Sequence, residues 1–116
     1  MQFKLGEINI ICTDLVRSLK FYRDLLGFEV VGEEDGALHM KCQGSRFLLL
    51  PFAKPAPERK AYCKEPAISF DLIVDDLGAA YDYFKQNKVE FEMEPEVEGS
   101  YFFIRDPDGL VIEIVG

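Results

Sequence analysis

The chain states nearly one pattern twice. Residues 8–22, INIICTDLVRSLKFY, align with residues 70–84, FDLIVDDLGAAYDYF, setting Asp14 opposite Asp76, Leu15 opposite Leu77 and Phe21 opposite Tyr83. Each copy reads as an apolar strand, an Asp-Leu helix start and a helix ending in aromatics. A repeat of this kind is one supersecondary unit that buries its apolar face against company rather than alone. The pattern therefore calls for a paired architecture.

Reading outward from the repeat gives the remaining elements. Residues 6–13 form an apolar strand, and Asp14 then caps a helix by accepting free backbone N–H groups. Leu15, Leu19, Tyr22 and Leu26 recur at helical spacing, and Gly27 can take the left-handed conformation that closes the helix. Strands follow at 28–33, 37–42 and 46–51. Residues 54–66 (KPAPERKAYCKEP) carry three prolines and no clear period, which reads as a linker between module one, 1–53, and module two, 67–116. In the second half a strand at 68–74 leads to Asp75 or Asp76 as cap, a helix to about 87, and strands at 89–94, 100–104 and 110–115. Asp106-Pro107-Asp108-Gly109 fits a type I turn with a bulge joining the last two. The expected class is α+β, with two βαβββ modules in one domain spanning 1–116.

A chain of 116 residues with a formal charge of -8 has no basic stripe to neutralise phosphates, which argues against nucleic acid and against an anionic membrane surface. No apolar run approaches the ~20 residues that span a bilayer. Cys12, Cys42 and Cys63 show no CxxC spacing, and scattered thiols without a signal-peptide pattern point to a reducing, cytoplasmic setting.

With these elements in place, DLxxSLxFYxDLLGF (14–28) and RDPDGxxIEI (105–114) within a doubled βαβββ order resemble the glyoxalase/bleomycin-resistance/dioxygenase superfamily, the vicinal oxygen chelate proteins. The resemblance implies that each module's sheet curves into half of a cup. In enzyme members a divalent metal sits there, held by one residue from the first and one from the last strand of each module; other members lack metal and sequester a drug. Carried onto this chain, the four positions are Glu7, Leu49, Ser69 and Glu113. Leu49 cannot ligate, and two carboxylates without an imidazole make a poor site for nickel, zinc or iron. No cofactor is therefore expected, and a divalent metal, if held at all, would rest on Glu7 and Glu113.

Period-two alternation fills in the rest of that lining. Asn9, Ile11, Phe47, Asp71 and Ile73 are expected on the face of Glu7, Ser69 and Glu113, joined by His39, Lys41, Tyr101 and Phe103. Ile8, Ile10, Phe70, Leu72, Ile112 and Ile114 pack beneath the helices, with Leu38, Met40, Phe102 and Ile104. His39 reads either as a ligand contact or as a solvated or packed histidine, and Asp71 could pair with Lys41. Glu90, Glu92, Glu94, Glu96 and Glu98 read as a solvated face.

Two functions follow from this lining. One is a binding protein whose acidic, aromatic cup holds a small cationic or amphipathic molecule without an intact metal site. The alternative is a metal-dependent lyase or isomerase of the glyoxalase type in which Glu7 or Glu113 moves a proton. Open sheet edges lead us to expect a homodimer.

Overall fold

Each Asp-Leu repeat lies in its own unit of the computed structural model, which describes all 116 residues as Met1–Ala56 and Pro57–Gly116. The first unit runs β1 (Ile8–Ile11), α1 (Leu15–Leu19) with a π-helical continuation (Lys20–Leu25), β2 (Glu29–Glu34), β3 (Ala37–Cys42) and β4 (Ser45–Leu50). The second runs β5 (Phe70–Ile73), α2 (Leu77–Gln86), β6 (Glu90–Met93), β7 (Tyr101–Arg105) and β8 (Val111–Val115). Both sheets have one topology, β1-β4-β3-β2 and β5-β8-β7-β6, with the first strand parallel to the last and the other pairs antiparallel. The α+β class and the doubled βαβββ order are those the repeat demanded.

The caps do what their chemistry predicts. Asp14 Oδ1 accepts the Arg17 N–H at 3.0 Å and Asp76 Oδ1 accepts that of Ala79 at 2.9 Å, so Asp76 rather than Asp75 is the second cap. The first helix widens before it ends: Leu26 N–H donates to Phe21 O, a five-residue step, and Gly27 at φ 77° closes it. In the last hairpin Gly109 N–H donates to Asp106 O at 2.9 Å, and Asp106 Oδ1 takes the N–H groups of Asp108 and Leu110. With Gly109 at φ 88°, this is the expected turn with a bulge.

Each helix covers one face of its own sheet. In the first unit Tyr22, Phe28 and Phe47 form a chain of rings with centroids 5.7 and 4.8 Å apart, over Ile10, Met40 and Leu49. In the second, Tyr81 and Phe84 lie against Phe102, above the fully buried Ile104, Ile112 and Ile114. Burying a side chain of this size stabilises by about 1.5–3 kcal/mol, so these faces anchor each unit.

Two expectations are corrected here. Phe47 and Leu49, expected on the face away from the helix, point beneath it, at 3% and 0% exposure. The register explains this: Ile8 and Ile10 pair with Phe47 and Leu49, whereas Asn9 and Ile11 pair with Leu48 and Leu50. The run Phe-Leu-Leu-Leu is apolar on both faces, so alternation carries no parity signal in it. The segment read as a linker is also more than that. From Pro57 onward it belongs to the second unit, where Arg59 bonds Glu90 at 2.6 Å, Arg105 donates to the Lys60 carbonyl at 3.3 Å, and Tyr62 lies on Phe103.

Candidate functional site

The face of each sheet turned away from its helix carries the polar side chains. In the first unit Asn9, Ile11, His39, Lys41, Leu48 and Leu50 share that face by register, and Glu7 reaches it from just before β1. His39 stands between two carboxylates, Nδ1 at 2.9 Å from Glu7 Oε2 and Nε2 at 3.2 Å from Glu34 Oε2. The hydrogen bond to Glu7 and then that to Glu34 raise the imidazole pKa above 6.5. Beside it Glu34, Asp35, Leu48, Leu50 and Phe52 line an open hollow of about 270 Å³. His39 is therefore neither free in solvent nor packed in the core. It is an ion-pairing hub.

In the second unit β5 lies beside β8 with Asp71 opposite Glu113, and β7 sets Phe103 on the other side of Glu113. Glu113 is half-buried, and its pKa is raised first by burial and second by the Asp71 charge. No cation enters that balance. Tyr101 shares the face, its ring 5.6 Å from Phe103, while Ser69 is exposed just before β5.

Tyr62 belongs to this face and its sequence context concealed it. Its ring centroid is 4.8 Å from that of Phe103, and it is half-buried there. Burial leads the causes that push its phenol pKa up, with the Glu113 charge adding to them. A lone aromatic in the polar stretch KAYCKEP was the available signal, but without periodicity it carried no address.

The donor chemistry can be weighed against a metal. Since Asn9 pairs with Leu48 as Asp71 pairs with Glu113, the first unit's counterpart of Glu113 is Leu48, not Leu49. The slots thus hold Glu7, Leu48, Ser69 and Glu113. Leu48 has no lone pair, Ser69 offers only a neutral hydroxyl, and the Glu7 carboxylate is engaged by His39. No group of three or more His, Cys, Asp or Glu side chains is arranged to hold a metal ion. This donor set does not fit a transition-metal centre.

The family model of the Glyoxalase/Bleomycin resistance protein/Dioxygenase superfamily matches residues 4–114. The chain belongs to that superfamily. Among curated relatives, 96% of it aligns at 30% identity with the uncharacterized protein YaeR of Escherichia coli strain K12, covering 94% of that protein. A further 24% identity extends over 91% of the chain to metallothiol transferase FosB of Staphylococcus haemolyticus, covering 72% of it. Among solved structures, the trypanothione-dependent glyoxalase I of Leishmania major superposes with a TM-score of 0.78 at 22% identity, covering 99% of this chain and 87% of that one. That last likeness is one of fold. No helix of this superfamily member is long and apolar enough to cross a membrane.

Proposed function

We propose that this superfamily member is a binding protein that holds a small organic cation or cationic amphipath through its acidic, aromatic sheet face, without a metal. The observation that carries the proposal is the Asp71–Glu113 pair, aligned by strand register beside the rings of Phe103 and Tyr101. Burial and then the Asp71 charge disfavour the ionised form of Glu113, and an incoming cation offsets that while the ring faces attract it. The absence of a donor at Leu48 supports a role without metal. A homodimer fits as well, because β1 and β5 each pair with one neighbour and leave one strand edge for a partner, and three free cysteines fit a cytoplasmic setting.

Titration calorimetry with polyamines, a cationic glycopeptide and planar cationic drugs tests the proposal. Saturable binding at tens of micromolar or tighter, weakened in Asp71→Asn and Glu113→Gln, is the expected result. Heats that do not saturate with any of these compounds would refute it.

One observation favours a second reading, a lyase or isomerase of the glyoxalase type. The raised pKa of Glu113 moves it toward the range useful for proton transfer near neutrality. Turnover in a hemithioacetal isomerisation assay, with stoichiometric metal in protein purified without chelators, would establish that reading in place of binding.

A further inference from the structure

We infer that Tyr62 is the specificity-determining residue of the second unit's sheet face: carried in by the segment after Pro57 and laid on Phe103, it is the aromatic wall that an organic cation contacts. The inference rests on the binding reading above and names the residue that gives it selectivity.

Three observations converge on Tyr62. First, its segment is fastened at two points rather than draped. Arg59 Nη1 donates to Glu90 Oε2 at 2.6 Å, and the Arg105 guanidinium, bound to Glu92 at 2.7 and 2.9 Å, donates to the Lys60 carbonyl at 3.3 Å. Lys60 is two residues from Tyr62, so the anchor fixes the backbone that aims the ring. Second, the ring lies 4.8 Å from Phe103 with a 48° tilt, and Phe103 in turn meets Tyr101 at 61°. Rings inclined in this way do not form a parallel slot for a flat guest. Phe103 is itself buried, at 9% exposure, so a guest meets chiefly the half-buried Tyr62 ring and the exposed Tyr101 ring, either of which can receive a rounded alkylammonium group. Third, Phe103 lies opposite Glu113 by strand register and Glu113 lies opposite Asp71, so the Tyr62 ring joins an aromatic patch next to the carboxylate pair. A hydrated metal ion gains little from ring faces, whereas a poorly hydrated organic cation gains from both ring and carboxylate.

The test compares wild type with Tyr62→Phe, Tyr62→Ala, Asp71→Asn and Glu113→Gln, using benzyltrimethylammonium and spermidine as probes in calorimetry. Unchanged far-ultraviolet circular dichroism and melting of each variant establish that it is folded. Tyr62→Phe keeps the ring and should bind benzyltrimethylammonium within about threefold of wild type, whereas Tyr62→Ala should lose about tenfold. Spermidine, whose ammonium groups are better hydrated, should lose less than threefold in Tyr62→Ala. Equal losses for the two probes, or wild-type affinity in Tyr62→Ala while the carboxylate variants lose binding, would overturn the role of Tyr62 and leave the binding proposal standing. Wild type that binds neither probe would overturn both.

Discussion

Glu92→Ala should destabilise the second unit by about 2–3 kcal/mol. The Arg105 side chain is 6% exposed and Glu92 31%. Removing one partner of a fully buried ion pair costs about 3–5 kcal/mol, because the other charge is left without compensation. Here the loss is smaller for stated reasons: Gly109 O at 2.6 Å and Lys60 O at 3.3 Å still accept from Arg105, and Glu90 lies 3.8 Å away. Two hydrogen bonds to a charged group disappear, and each such bond contributes roughly 1.5–3 kcal/mol before the remaining partners readjust. Arg105→Met should cost only about 1–2 kcal/mol, since the orphaned Glu92 can turn to water while Met fills the space. The double variant should fall short of the sum by about 1–2 kcal/mol, because each single change already removes the shared contact. Urea unfolding followed by near-ultraviolet tyrosine ellipticity is the appropriate assay. Four of the five tyrosines, Tyr62, Tyr81, Tyr83 and Tyr101, lie in the second unit. A Glu92→Ala cost below about 0.5 kcal/mol at unchanged m-value, or strict additivity of the two changes, would refute the account of Arg105 as a charge held by Glu92.

The His39 hub makes the first unit's stability depend on pH. Its folded pKa is raised above 6.5 by Glu7 and Glu34, so its contribution is complete below about pH 6.5 and is lost as pH rises through the folded value. Urea midpoints from roughly pH 6 to 8 should decline in wild type and flatten in His39→Gln; an identical slope in both proteins would dismiss the hub. Ser18 is fully buried in α1 and its Oγ has no hydrogen-bond partner, so Ser18→Ala should raise stability by about 1 kcal/mol. A lowered urea midpoint would contradict that.

The sequence alone determined whatever is local or strictly periodic. Asp14 and Asp76 cap because a short carboxylate before an apolar helical stripe has few better uses, and Asp106 to Gly109 turn because Pro107 fixes its φ and Gly109 tolerates a positive one. The repeat then required the second half to copy the first, which settled the βαβββ element order and the class, while the placing of β1 beside β4 and of β5 beside β8 came with the sheets. Tertiary structure decided what the sequence left degenerate. In Phe47 to Leu50 both faces are apolar, so only pairing with β1 chose which residues went under the helix, and it moved Phe47 and Leu49 inward and Leu48 outward. His39 finds Glu7 across 32 positions of chain, and Arg105 finds Lys60 across 45; no local propensity encodes a contact at that separation. Tyr62 sat in a segment without period, and what located it was the pull of two distant arginine contacts and an apolar ring surface on Phe103. Side chains fixed by backbone geometry are legible in order along the chain, whereas those fixed by partners far away become legible only once the sheet has brought the partners together.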